Sequence, residues 1–131
     1  MFEVRQLDQQ MIEIYSEGEC TYKDWIEYQE LVLEQLNLAN HKLYILSNLS
    51  ELTSFESKIV KEVGTAKHLT HPNLGFIVMV GGNKLMNFLL QVTENRAQQE
   101  RSHERMRVLK NYDKALQTLN QQREMANPSL I

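Results

Sequence analysis

Lys42-Leu-Tyr-Ile-Leu-Ser-Asn-Leu-Ser-Glu-Leu-Thr-Ser-Phe-Glu-Ser57 is the stretch whose reading decides the fold. Leu43, Tyr44, Ile45 and Leu46 form a short apolar run, the mark of a strand buried on both faces. A polar turn follows. Thr53 and Glu56 then stand at capping-box spacing, where a hydroxyl accepts a backbone N–H three residues on and a carboxylate reaches back. This predicts a helix from about Ser54 to Ala66 or His68, with Phe55, Ile59, Val60 and Val63 on its inner face. Ser57 lies about 200° round from Phe55, at roughly 100° per residue, and is expected to face water.

Upstream, Phe2 and Val4 alternate with Glu3 and Arg5, and Ile12 and Ile14 with Glu13 and Tyr15. Alternation of this kind marks half-buried strands, and the polar Leu7–Gln10 segment between them suits a hairpin. Glu17-Gly18-Glu19 is expected to end the second strand. Thr21 and Asp24 repeat the capping-box spacing with Asp in the acidic position. They open a helix whose apolar stripe is Tyr22, Trp25, Ile26, Val32, Leu33 and Leu36, ending near Leu38.

Downstream, Pro72 disfavours helix in the residue before it, so Thr70–Asn73 is a break. Leu74 to Val80 contains Phe76-Ile-Val-Met-Val80 without a polar side chain and is the strongest central-strand signal in the chain. Gly81-Gly82-Asn83 punctuates it. A helix from Lys84 to about Arg96 follows, with Leu85, Phe88, Leu89 and Val92 inward and Met86 and Leu90 on a flank. Arg105–Leu109 alternates as a last strand. Asn111 or Asp113 opens a final helix carrying Ala115, Leu116 and Leu119. One domain over residues 1–120 and a flexible tail over 121–131 are expected.

The chain has 131 residues, 42% apolar and 24% charged, with a net charge of −3. Such a chain buries a core without staples. Mixed charge without a basic block argues against nucleic acid and anionic membrane as partners. No segment reads as a transmembrane helix or as a signal peptide. Cys20 is alone, which excludes an internal disulfide framework and predicts a reducing, cytoplasmic setting.

Strands alternating with helices imply βαβ units with right-handed crossovers. Three strands mix polar with apolar positions, so one sheet face is expected to be partly open, with sequential strand order from the second strand onward.

This order of elements, together with Asn48-Leu49-Ser50-Glu51-Leu52-Thr53 and then Glu56-Ser57, resembles the STAS domain, the SpoIIAA-like fold of anti-sigma-factor antagonists. In that family a strand ends in Asp-Leu-Ser-Gly, and Asp-Ser opens the second helix with the serine that a partner kinase phosphorylates. Here Glu56 replaces that Asp, and Lys58 and Ile59 stand where small residues are usual. His71-Pro72-Asn73-Leu74-Gly75 and Gly81-Gly82-Asn83 also look like small STAS-like bacterial proteins. The resemblance implies an α/β fold of order β-β-α-β-α-β-α-β-α, with a mixed, mostly parallel sheet and helices mainly on one face. It implies a non-enzymatic regulatory module without a cofactor and a protein partner of anti-sigma or switch-kinase type. Ser57 becomes the phosphorylation candidate, with Asn48, Ser50, Thr53, Glu56, Lys58 and Lys61 around it as the interaction surface.

Other chemistry reads more weakly. Ser50, Gly81, Gly82, Asn83 and Lys84, at the carboxyl ends of strands, form an alternative ligand or anion site, where backbone N–H groups at a helix start would cradle a phosphate. They lack the spacing of a phosphate loop, and a tight strand-to-helix turn that needs glycine dihedrals is the simpler explanation. Met86 and Leu90 are candidates for a homodimer contact. His41, His68, His71 and His103 are scattered, with no metal-ligand spacing. No serine-nucleophile elbow is present.

Overall fold

The computed structural model describes residues 2–63 (without the side chains of 60, 61 and 63), 66–81, 91–92, 95 and 105–126. Its strands are β1 (Phe2–Asp8), β2 (Met11–Cys20), β3 (Leu43–Phe55), β4 (Leu74–Val80) and β5 (Met106–Leu109). They form one sheet in the order β1-β2-β3-β4-β5. The β1–β2 hairpin is antiparallel and every later pairing is parallel, as the element order predicts. The described helices are α1 (Tyr22–Leu38), α2 (Ser57–Val63) and α3 (Tyr112–Ala126), with a 3-10 turn at Lys67–Thr70.

The Thr21–Asp24 capping box forms in full. The Thr21 hydroxyl accepts from the Asp24 N–H at 3.2 Å, and the Asp24 carboxylate accepts from the Thr21 N–H at 2.8 Å. α1 buries Trp25, Tyr28, Val32 and Leu36. Ile26, expected in that stripe, is exposed, and Tyr28 takes its place beside Trp25.

The decisive stretch departs from its reading in one respect. β3 runs on through the expected polar turn to Phe55, so Thr53 and Phe55 are extended, and no Thr53–Glu56 capping box opens a helix. The reason lies in β2. Glu17-Gly18-Glu19 does not end that strand but is absorbed as an irregularity, with Gly18 at φ 77°. β2 therefore offers hydrogen-bonding backbone as far as Cys20, which pairs with Phe55. A continuous ladder satisfies many backbone groups where a cap satisfies two. α2 starts only at Ser57, and Ile59 is buried as expected.

Residues alternate between two buried layers. Ile12, Ile14, Ile45, Ile77 and Met79 pack towards α1, joined by Ile59 of α2 and Leu69 of the 3-10 turn. Met11, Tyr44, Leu46, Phe76, Val78 and Val80 pack on the other face against Ala115 and Leu119 of α3. The second face is thus covered by the chain's own last helix. Asn111 opens it, its side chain accepting from the Lys114 N–H at 3.0 Å. The segment expected as a loose tail from residue 121 is helical to Ala126, and Arg123 pairs with Asp8 at 2.8 Å. The predicted Lys84–Arg96 helix lies largely outside the described residues; Val92, expected inward, is exposed.

The His71–Gly75 motif is explained by packing. Asn73 Nδ2 donates to the carbonyls of Leu36 and Ala39 at 3.0 and 2.9 Å, closing the end of α1. His71 Nε2 lies 2.7 Å from Asn37 Oδ1. Gly75 sits at a register shift between β3 and β4, with the Tyr44 ring across it. A Cβ there would lie 2.5 Å from two ring carbons. Because Tyr44 is fully buried, the ring has nowhere to retreat. Gly75→Ala is expected to destabilise the fold by about 1–3 kcal/mol in urea unfolding; an unchanged midpoint would contradict the contact.

His68 is buried edge-on against Trp25 and Tyr28, with ring centroids 6.4 and 6.0 Å away. Its Nδ1 has no hydrogen-bond partner among the described residues. Burial lowers its pKa from 6.5 to about 4. The folded state therefore binds fewer protons than the unfolded chain between those values, so stability is complete above pH 6.5 and falls as pH drops towards 4. The slope is expected to approach ~1.4 kcal/mol per pH unit. Urea unfolding across this window should show a flatter pH dependence in His68→Phe than in the wild type.

Candidate functional site

Residues expected to form one surface are divided by the sheet. Asn48 is buried on the α3 side. Its Nδ2 donates to Glu13 Oε2 at 3.0 Å, and its Oδ1 accepts from the N–H and the hydroxyl of Ser50 at 3.2 and 2.6 Å. Asn48 is therefore the inner wall of a polar network, not a docking residue.

The centre of that network is Glu13, only 3% exposed. Besides Asn48, it accepts from the Tyr112 hydroxyl at 2.5 Å and meets Arg5 at 3.5 Å. These partners come from β1, β3 and the first residue of α3. Burial, then the bond to Glu13, pushes the Tyr112 phenol up to about 12, so it stays a donor. Strand alternation read Glu13 as an outward position. The face it occupies is open only until α3 folds across it, and no local pattern announces that. Asn48, in alternation with Tyr44 and Leu46 of the same strand, was the available signal.

The second group lies where β3 gives way to α2. Thr53, Glu56, Ser57 and Lys58 are exposed there. The Glu56 N–H donates to the Cys20 carbonyl at 3.2 Å, and its own carbonyl accepts the Ile59 N–H at 3.0 Å. This is the last rung of the ladder turning into the first helical bond. Ser57 is the first residue of α2, with its side chain towards water. Lys58 Nζ sits 4.1 Å from the centre of the Tyr22 ring, within cation–π range. Lys61 belongs to α2; its side chain lies outside the described residues.

α2 is short, but it is tied to α1. Glu62 accepts from the Tyr22 hydroxyl at 2.8 Å and from the Trp25 indole N–H at 3.0 Å. That bond, more than burial, raises the Tyr22 phenol. Tyr22 therefore touches α2 twice, through its hydroxyl and through its ring. These side chains are chemically suited to hold the serine-bearing turn in one orientation, and sequence reasoning missed Glu62 and Tyr22 as its support.

In the alternative site, the Gly81 N–H donates to the Leu109 carbonyl at 3.2 Å, which ties it to β5. Gly82, Asn83 and Lys84 lie outside the described residues, as do Met86 and Leu90. No group of His, Cys, Asp and Glu suited to a metal ion occurs among the described residues. No described helix is long and apolar enough to cross a membrane.

A sequential, mostly parallel five-stranded sheet with an antiparallel first strand, α1 and α2 on one face and α3 on the other, defines a SpoIIAA-like (STAS) fold. Comparison with solved structures shows the same. The chain matches unphosphorylated SpoIIAA, an anti-sigma factor antagonist, with a TM-score of 0.65 at 13% identity, over 92% of this chain and 96% of that one. It matches the phosphorylated form of SpoIIAA, a Bacillus cell fate determinant, with a TM-score of 0.59 at 12% identity, over 91% and 99%. A DUF3478-family protein with a SpoIIAA-like fold from Shewanella loihica matches with a TM-score of 0.58 at 14% identity, over 91% and 92%. No family model and no curated protein sequence matches.

A double-mutant cycle on Glu13 and Tyr112 tests the network. Glu13→Gln and Tyr112→Phe are each expected to destabilise by about 1–2 kcal/mol, with a coupling energy of about 1 kcal/mol in urea unfolding. Strict additivity would show that the two side chains do not act together.

Proposed function

We propose that this protein is a non-enzymatic regulatory module of STAS type. It docks on another protein through the exposed start of α2, and phosphorylation of Ser57 switches that contact. The observation that carries the reading is the exposure of Ser57 at the first position of α2, on a helix anchored to α1 through Glu62, Tyr22 and Trp25. A rigidly presented hydroxyl suits a partner kinase. The likeness to SpoIIAA in both its unphosphorylated and phosphorylated forms supports the same assignment.

Thr53, Glu56 and Lys58 complete the contact surface, with Lys61 one turn on. A phosphoryl group on Ser57 would add nearly two negative charges there without burying them. Lys58 is the nearest cation in sequence, and it would be drawn from the Tyr22 ring towards the phosphate. The docking face would change in charge while the core beneath stayed as it is. A partner of anti-sigma or switch-kinase type, in the cytoplasm, is the kind of protein this face would meet.

Affinity capture from native lysate with wild-type, Ser57→Ala and Ser57→Asp baits tests the proposal, alongside mass spectrometry of the native protein. The expected outcome is a phosphorylated Ser57 and a partner retained by Ser57→Ala but lost by Ser57→Asp. A partner held equally by all three baits, with Ser57 unmodified, would refute the switch.

A further inference from the structure

At the end of the sheet opposite α2, an open cleft of about 430 Å³ lies between α3 and the starts of β3 and β4. Lys42, Tyr44 and Gly75 line it from the sheet, Met125 and Ala126 from α3, and Arg105 from the residue before β5. Its origin is the β3–β4 register. Leu43 pairs with Leu74 and Tyr44 with Phe76, so Gly75 is an extra residue in β4. Such a bulge re-aims the side chains beside it, and the missing Cβ of Gly75 gives the Tyr44 ring its place. The volume is that of a small-ligand site.

Tyr44 is 1% exposed, yet its hydroxyl takes part in no hydrogen bond among the described residues. A polar group so placed normally has a partner. Arg105 is half-buried and donates only to neutral carbonyls, those of Leu69 and His71 at 2.9 and 2.7 Å and that of Leu74. Lys42 Nζ donates to the Pro72 carbonyl at 2.5 Å. One loop, His71 to Gly75, therefore draws the guanidinium, the ammonium and the Tyr44 ring together. Neither cation is ion-paired among the described residues, and no described carboxylate lines the cleft. The charge that acts on the Tyr44 phenol is a further cation, Arg123, and burial raises the phenol, so it remains a donor. In a chain of net charge −3, the cleft collects positive charge and donors with no anion to receive them. Beside them Met125 is 74% exposed, a flexible apolar side chain that adapts to what it meets. The carboxyl end of α3 carries partial negative charge, so an acid group belongs on the Lys42–Arg105 side and an apolar body on the α3 side.

We infer that this cleft binds a small organic acid, with its oxyanion held by Lys42, Arg105 and the Tyr44 hydroxyl and its apolar body laid against Met125 and Ala126. The inference does not rest on the reading of Ser57. The cleft lies at the amino end of β3, and Ser57 follows its carboxyl end.

Hexanoate, 1-hexanol and inorganic phosphate are the probes: the first has both the charge and the apolar body, the others one each. The Met125 methyl resonance, assigned with Met125→Leu, reports occupancy. Hexanoate is expected to move it saturably and to bind about 10-fold more tightly than hexanol or phosphate. Lys42→Gln, at an exposed position, is expected to weaken hexanoate about 3–5-fold and to leave hexanol unchanged. Tyr44→Phe removes only the unpaired hydroxyl, should fold at least as well, and is expected to weaken hexanoate about 3–10-fold. No saturable shift with millimolar hexanoate would overturn the site. Hexanol bound as tightly would overturn the role of the anion, and phosphate bound as tightly that of the apolar body. Unchanged hexanoate affinity in both variants would overturn the assignment to these residues. Capture of a partner through Ser57 succeeds or fails separately from all of these.

Discussion

The parallel pairing of β2 with β3 is the constraint from which the rest of this structure follows. β3 is long, and among the described strands only β2 accompanies it beyond Asn48; β4 ends at Val80, opposite that residue. The added ladder from Glu17 to Cys20 carries β3 past the point where a local cap would have turned it into helix. It tolerates two register shifts on the way, one at Ser16 and one near Gly18. Because the ladder ends at Cys20–Phe55, α2 begins two residues further on, and Ser57 comes out at the surface.

The same pairing organises the interior. A residue's place in the alternation sends it either towards α1 and α2 or towards α3. Glu13 and Asn48 fall on the α3 side, where a buried carboxylate is made tolerable by Tyr112, Asn48 and Arg5. Removing one partner of such a group costs more than the group contributes when satisfied. The network is therefore a fastening between the first hairpin and the last helix. On the opposite side, the β2–β3 ladder shifts register at Ser16, whose buried hydroxyl has no hydrogen-bond partner among the described residues.

The polar ties of α2 give the exposed serine its setting. A helix of seven residues has little stability of its own. Glu62 compensates by accepting from both Tyr22 and Trp25, and Lys58 adds the Tyr22 ring. Position and orientation of the surface turn are therefore set by α1, an element with a complete capping box and four buried anchors.

Much of this was legible in the residues alone. The alternation of Phe2–Arg5 and Ile12–Tyr15, the apolar runs at Leu43 and Phe76 and the Thr21 cap determine which elements exist and in what order, because period and capping are local properties. From them follows the mostly parallel sheet; Ser57 is exposed as expected, though the helix geometry it was read from does not form, because Phe55 belongs to β3. Tertiary structure decided where β3 stops, since Thr53 and Glu56 have equal claim to a cap or a ladder until Glu17–Cys20 arrives as a partner. It also decided that Glu13 is inside, that Tyr28 and not Ile26 faces the core, and that residues 121–126 form the end of a helix. Each of these depends on what a distant segment lays across a face, and the free energy of that burial is absent from any local window of sequence.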